Sequence, residues 1–502
     1  MTADHPKILC LVNAAAYSRT YFEELRPYLA GRGIDMAFAL DSHLPDVVYG
    51  DGQPIPGAWY FTDFCAKHPP LSPSELERRD LRWDGLFSDF DRFLTLEMRV
   101  PLAQGGKLAY QHIPLLLERF FTQIFDEVRP VAVLYEQASN SFALAANMVA
   151  RKRGIPFFSL APGRIGGRVE ISPTGALRDH ITVGRILERV KQEGASQEAR
   201  DLADHYISTV EHQVPDYMRK GGDGEVLART GLFAKYFNRD KLRHLLRGWR
   251  HRRTHRADAS RAYMVGDAFS ISFILFRRSV KRWLRVRRVL RYYRHEAGPG
   301  AYFLYPLHFH PEASTSVLAP DFIDEMNVIK TIAFRLPAHV RLLVKEHPSA
   351  VALQPLGFYR DLDKLPNVEL IAPGVNAKQL ARDSLGVICV TSTLGFEAAA
   401  LNKPVICLGD VLYGYFPNVR MIGHFGDLNA ALDWAMDYRP IDPSDIADAM
   451  AAYVEFTDPG KFSFRESLGQ ADELDNIAAI LAGRLAAPGT LMSSNHPIVE
   501  HG

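Results

Sequence analysis

Along this chain, short and nearly continuous apolar runs repeatedly give way to amphipathic helical stretches. KILCLVN (7–13), the helical YFEELRPYLAGRG (21–33) with its closing glycine, and IDMAFAL (34–40) make the first such unit. The rhythm returns with VAVLYE (131–136), SNSFALAANMVARKRG (139–154) and IPFFSL (155–160). It restarts at 301 with AYFLYPL (301–307), DFIDEMNVIKTIAFRLP (321–337), RLLVKEHP (341–348), VELIAP (368–373), NAKQLARDS (376–384), LGVICVTS (385–392), TLGFEAAALNK (393–403) and PVICLG (404–409). Strands this apolar belong in parallel sheets, because helical crossovers bury both faces. The pattern predicts an α/β chain of two doubly wound units. At 502 residues the chain also exceeds the roughly 250 to 300 residues that one core supports.

The expected boundaries are a Rossmann-like N-terminal unit over 1–182, a helical and strongly basic connector over 183–299, and a Rossmann-like C-terminal unit over 300–440. Closing helices then occupy 441–485, and 486–502 reads as a disordered tail. Two such halves facing a cleft resemble the GT-B glycosyltransferases and the related UDP-sugar 2-epimerases. In open α/β sheets ligands bind at the carboxyl ends of strands, so the search for function narrows to those edges.

The net charge of +1 conceals an asymmetry, since 20 Lys and Arg against three acids lie between Arg229 and Arg294. Within ISFILFRRSVKRWLRVRRVLRYYRHE, Phe276, Val280, Trp283, Val286, Leu290 and Tyr293 recur at three- and four-residue spacing, with arginines opposite. That pattern suits a helix lying on an anionic membrane surface through 271–294, with an inter-domain packing helix as the alternative. No nucleic-acid-binding module accompanies the charge, so nucleic acid is not an expected partner. No run of 18 apolar residues or signal peptide is seen, and the four cysteines are widely spaced. The expectation is a cytoplasmic protein with free thiols, peripheral on the inner face of the inner membrane.

At the tip of RLLVKEHPSA, Pro348 stops the strand and biases His347 to an extended backbone, projecting the imidazole over the sheet edge. Lys345 and His347 can there hydrogen-bond and neutralise a phosphate, or simply cap a strand. In VTSTLGFEAAALNKPVICLGD (390–410), Thr391, Ser392 and Thr393 gather hydroxyls and free N–H groups at a positive helix terminus. Gly395 would allow close approach and Glu397 would reach sugar hydroxyls; an ordinary capping box is the alternative.

FLYPLHFHPEAST (303–315), LLVKEHP (342–348) and TSTLGFEAAALNKPVICLGDVLYG (391–414) together resemble bacterial capsule polysaccharide biosynthesis proteins, a family that includes β-Kdo transferases. The His-Pro element and the Ser/Thr-rich turn are also similar to motifs of CMP-sialic acid-using transferases. The resemblance implies a metal-independent GT-B glycosyltransferase taking Kdo or another nonulosonic acid from a CMP-sugar to a glycan or glycolipid acceptor. It implies no cofactor beyond this nucleotide-sugar co-substrate. It places Lys345 and His347 on the CMP phosphate, Ser392 and Thr393 on the phosphate or carboxylate of the donor, and Glu397 at the ribose. The ending after Gly409 retains Tyr413 but lacks a Gly-Trp-Gly-rich close. A UDP-sugar 2-epimerase and a non-catalytic capsule-assembly scaffold remain open as alternatives.

His308 and His310 follow the strand 301–307 on one face of an extended segment and are candidates to contact donor or acceptor. Further metal ligands at successive strand ends are missing, so no metal site is expected. Glu136 ends the strand 131–136, where a carboxylate can act as general base or complement a helix terminus. Arg164 and Arg168 sit in a glycine-rich loop suited to a carboxylate or phosphate. Asn13, Tyr17 and Arg19 complete the expected rim. Asp89-Phe90-Asp91 lies in a helix-like setting and reads as a solvated face.

Overall fold

The computed structural model describes residues 5–13, 17–48, 52–68, 72, 74, 107–213, 238–254, 268–309 and 313–486. Its strands, numbered along the chain, are β1 (Lys7–Val12), β2 (Asp35–Leu40), β3 (Trp59–Tyr60), β4 (Ala132–Tyr135), β5 (Phe157–Pro162), β6 (Arg168–Ser172), β7 (Tyr302–Pro306), β8 (Arg341–Lys345), β9 (Val368–Ile371), β10 (Gly386–Cys389), β11 (Val405–Cys407), β12 (Val419–Met421) and β13 (Asp458–Pro459). They form two sheets, ordered β13-β6-β5-β4-β1-β2-β3 and β12-β11-β10-β7-β8-β9. The second sheet is parallel throughout. The first is parallel from β5 to β3, with β6 and β13 antiparallel at one edge. The chain is therefore α/β with two Rossmann-like units.

Each sheet starts at a central strand, winds outward on one side, then crosses back. The reversal falls between β1 and β4 in the first sheet and between β7 and β10 in the second. Such reversals open a crevice at the carboxyl edge, because the loops on either side of it leave in opposite directions. Ile8 to Val12 and Val387 to Cys389 are fully buried, as their apolar runs require. Each such aliphatic side chain stabilises the fold by roughly 1.5–3 kcal/mol. Cys10, Cys389 and Cys407 are buried free thiols.

The last two helices divide between the units. Helix Pro443–Phe456 packs on helices Asp179–Glu193 and Gln197–Thr209 beside the second sheet. Helix Ala471–Ala486 returns to the first sheet, where Leu474, Ile477, Ala478 and Leu481 join its core and Asp475 pairs with Arg32 at 2.8 Å. Among the described residues no helix is long and apolar enough to cross a membrane.

Within the basic segment, helix Arg239–Thr254 packs against the short helix Leu44–Val48, and helix Ala268–Val289 packs against helix Leu356–Asp363. The two basic helices also pack on each other. The stripe predicted to face a membrane is instead turned largely toward protein: Val286 and Tyr293 are buried, and Phe276, Val280 and Trp283 are half-buried. Leu290 departs from the stripe and is exposed, while Val289 is fully buried. A 3-10 turn over Leu290–Tyr292 tightens the helix end and changes which side chains share a face. Two arginines expected on a solvent face are also tied down. Arg282 Nε donates to the Val351 carbonyl at 2.6 Å, and Arg285 donates to those of Gln354 and Leu353 at 2.8 and 3.2 Å.

Candidate functional site

At the second reversal, β7 is flanked by β8 and β10, so the two motifs far apart in sequence end on either side of one strand. His308, just beyond β7, spans the gap. Its Nε2 accepts the Thr391 N–H at 3.2 Å, and its Nδ1 lies 3.4 Å from Glu325 Oε1. The same carboxylate oxygen accepts the His308 N–H at 2.8 Å. These partners assign the ring proton to Nδ1. His308 was expected to contact donor or acceptor, yet both of its ring nitrogens are engaged within the protein. The imidazole is placed to hold the β7 and β10 ends together.

At the β8 tip, alternation sends neighbouring side chains apart. Lys345 is buried and Nζ donates to the Pro373 carbonyl at 2.7 Å and that of Glu346 at 3.3 Å. Glu346 is also buried; its Oε2 accepts Tyr293 Oη–H at 2.8 Å and Tyr359 Oη–H at 3.2 Å, and its Oε1 accepts the His347 N–H at 3.0 Å. Burial outweighs those hydrogen bonds and pushes the carboxyl up to about 7.

His347 has the extended backbone (φ −78°, ψ 129°) that Pro348 imposes. Its Nδ1 accepts the Ser349 N–H at 3.1 Å, so the proton sits on Nε2, which has no acceptor among the described residues. Burial and then the nearby His308 and Lys345 lower its pKa, keeping the ring a neutral donor. Phe309 lies beside it, with ring centroids 6.3 Å apart.

Beyond β10, Ser392 caps helix Thr393–Ala400, its Oγ accepting the Leu394 N–H at 3.2 Å. Tyr413, fully buried, braces this turn by donating to the Ser392 carbonyl at 2.6 Å. A Cβ at Gly395 would come within 2.3 Å of the Tyr413 hydroxyl oxygen, so the glycine admits Tyr413 rather than a ligand. Thr393 is half-buried at the first helical position, and Thr391 Oγ1 is buried without a hydrogen-bond partner among the described residues. Glu397 departs from its expected ribose contact. It is buried and paired at 3.0 Å with Lys378, whose Nζ also donates to the carbonyls of Val210 and Gln213.

On the first sheet, Glu136 follows β4 at the reversal and is half-buried. Burial pushes its carboxyl up to about 7, against the opposing pull of a Ser139 hydrogen bond. The helix that follows is capped by Asn140, whose Oδ1 accepts the Ala143 N–H at 3.0 Å, so the terminus does not need Glu136 as its cap. Arg164 and Arg168, expected to clamp an anion, have partners within the protein. Arg164 pairs with Glu170 at 2.6 Å and lies over the Phe396 ring at 5.7 Å. Arg168 donates to the Val454 carbonyl at 2.8 Å and Thr457 Oγ1 at 3.0 Å, at the end of helix Pro443–Phe456 where carbonyls lack helical partners.

Those arginines nevertheless show that the carboxyl edges face each other, because Arg164 follows β5 and Phe396 lies in the helix opened by β10. Asp410, beyond β11, accepts the Arg178 N–H at 2.8 Å and pairs with His180 at 2.9 Å, fixing the start of helix Asp179–Glu193 against the second sheet's edge. Arg19 is buried against Asp46 at 2.8 Å, and Asn13 is half-buried at the β1 end. The Tyr17 side chain, His310 and Asp89 to Asp91 lie outside the described residues. Among those described, no group of three or more His, Cys, Asp or Glu could hold a metal ion.

Sequence reasoning missed Glu325, Asp410, the tyrosines around Glu346 and the bond from Thr391 to His308. Only Asp410 carried a signal, as an acid at a strand's carboxyl end; the others depend on contacts between elements distant in sequence.

Residues 249–417 match the model of a family described as capsule polysaccharide biosynthesis protein. No curated protein matches the chain. Among solved structures, the Thermosulfurimonas dismutans KpsC β-Kdo 2,7 transferase aligns at 14% identity over 72% of this chain and 89% of its own, with a TM-score of 0.37. S. aureus MnaA with UDP aligns at 10% identity over 97% and 98%, TM-score 0.27. The Methanocaldococcus jannaschii UDP-GlcNAc 2-epimerase with UDP-GlcNAc and UDP aligns at 10% over 95% and 99%, TM-score 0.30. The resemblance read from about 300 to 420 falls on the family match, which begins upstream within the basic helices.

Proposed function

We propose that this chain, matched over residues 249–417 to capsule polysaccharide biosynthesis proteins, is a glycosyltransferase that moves Kdo or another nonulosonic acid from its CMP-linked form to a glycan or glycolipid. One observation carries the reading: the His347 Nε2–H and the amino end of helix Thr393–Ala400 flank the same reversal strand, with His308 bonded across the gap. A neutral imidazole donor beside a positive helix terminus suits a leaving phosphate.

In this mechanism the bond from the sugar's anomeric carbon to the phosphate oxygen breaks, and CMP departs with the electron pair. The acceptor hydroxyl oxygen forms the new bond while Glu136 takes its proton. Lys345 contributes positive charge behind the site, held by the Pro373 carbonyl. Ser392 and Thr393 meet the phosphate or the donor carboxylate. The reading requires neither a metal nor a cofactor.

Calorimetric titration with CMP, UDP and GDP tests it. CMP is expected to bind; preference for UDP overturns the donor assignment, and binding of none overturns the enzyme reading. Release of CMP from CMP-Kdo only when an acceptor glycan is present then distinguishes transfer from hydrolysis.

A further inference from the structure

Outside their packed sides, the two basic helices carry exposed large apolar side chains among the described residues. On helix Arg239–Thr254, Gly248 and His251 are buried, whereas Leu242, Leu246 and Trp249, four and three residues apart, are 50%, 65% and 51% exposed. That spacing puts all three on one stripe. The neighbouring helix Ala268–Val289 adds Phe273 and Leu284, also more than half exposed. Large apolar side chains exposed together, rather than scattered singly, mark an interaction surface.

Charge identifies what covers it. The helix Arg239–Thr254 carries seven Lys and Arg against one acid, and Ala268–Val289 carries seven against none. The cations border the apolar side chains: Arg253 lies over the Trp249 ring at 5.3 Å and Arg277 over the Phe273 ring at 6.0 Å. Guanidinium groups resting on aromatic rings beside exposed leucines suit a boundary between hydrocarbon and anionic headgroups, where ring and leucine enter the apolar layer and the cation meets the headgroups. A nucleic acid would use the charge but leave exposed leucines without a role.

We propose that Leu242, Leu246, Trp249, Phe273 and Leu284, with the surrounding arginines, form the docking face for an anionic lipid bilayer. The face differs from the predicted stripe of Phe276, Val280, Trp283, Val286, Leu290 and Tyr293, most of which packs inward. Its position has a functional consequence. Helix Arg239–Thr254 rests on Leu44–Val48, just past the carboxyl end of β2, and helix Ala268–Val289 touches the loop beyond the His347 tip. Docking there brings both carboxyl edges to the membrane, and this use of the face, for a lipid-linked acceptor, rests on the transferase reading.

Vesicle flotation tests the face on the full chain, with phosphatidylcholine vesicles compared with vesicles containing one third phosphatidylglycerol. The expected result is anionic-lipid-selective binding that weakens at least tenfold in the double variant Leu246→Ser/Trp249→Ser and in Arg250→Glu. Arg250 is exposed, so its reversal probes charge without opening a core. Circular dichroism and CMP titration serve as controls for folding and for the donor site. Equal binding to both vesicle types, or unchanged binding by the variants, overturns the docking face. So does tight binding of single-stranded RNA that the same variants abolish while vesicle binding survives. Vesicle binding without binding of CMP, UDP or GDP overturns the transferase reading alone.

Discussion

The two carboxyl edges share a topology and differ in chemistry. At the β1/β4 reversal the group presented is a carboxylate, Glu136, whose proton affinity is raised by burial to about 7. At the β7/β10 reversal the groups presented are donors: a neutral His347 Nε2–H and the amino end of a helix. Under the proposed function, one winding pattern therefore supplies a proton acceptor at one edge and anion stabilisation at the other. The fold decides where the chemistry is placed, and the few residues past each strand decide its sign.

Glu136→Gln tests the difference most severely. Removing a general base costs roughly a hundred- to ten-thousand-fold in turnover. CMP affinity is expected to stay within about twofold, because the two edges have separate tasks under the proposal. The wild-type rate is expected to rise with pH through about 7, where Glu136 loses its proton. A variant with normal turnover, or one that has lost CMP binding equally, removes the division of labour.

A second carboxylate with nearly the same proton affinity provides the internal control. Glu346 is sealed beneath the His347 tip by Tyr293 and Tyr359, so its raised pKa affects stability rather than catalysis. Because its folded value of about 7 exceeds the ordinary 4.5, its contribution is full below about 4.5 and lost as pH rises through about 7. The full difference is about 3 kcal/mol. Glu136 shares that pH sign, so the informative quantity is the wild type minus Glu346→Gln in urea unfolding at pH 4.5 and pH 8. That difference is expected to shrink toward high pH; a constant difference shows that Glu346 does not titrate in this range.

On the donor edge, His347→Ala is expected to weaken CMP binding by about 1.5–3 kcal/mol, the contribution of a hydrogen bond to a charged group. His347→Gln, which retains an N–H donor, should recover part of it. Equal affinity in wild type and His347→Ala would falsify the phosphate cradle even if transferase activity persisted.

The sheets were legible because apolar runs alternating with amphipathic helices have few other ways to be buried. Short edge strands were not: β3 and β13 span two residues each and β12 three, too few to show a period. The locations of His347, Ser392 and Glu136 at strand ends followed from the same alternation. Their neighbours' tasks did not. Arg164 and Arg168 read as anion ligands because their composition suits an anion, but the partners Glu170, Val454 and Thr457 become adjacent only after folding. The same limit hid the pairing of Glu397 with Lys378 and the closure of Gly395 by Tyr413.

Ser392→Ala gives the smallest effect and the finest separation. Loss of the cap to Leu394 should cost about 1 kcal/mol of stability, since one N–H at the helix start loses its acceptor. The Tyr413 hydroxyl still holds the Ser392 carbonyl, which is main chain and survives the substitution, so the turn should keep its course. If the hydroxyl serves only as a cap, CMP affinity in Ser392→Ala remains at the wild-type value while the unfolding midpoint falls. If it also meets the donor, both fall together, and Thr393→Val, which leaves the cap intact, should lower affinity alone. The paired titrations thus separate local helix stability from ligand contact at adjacent hydroxyls.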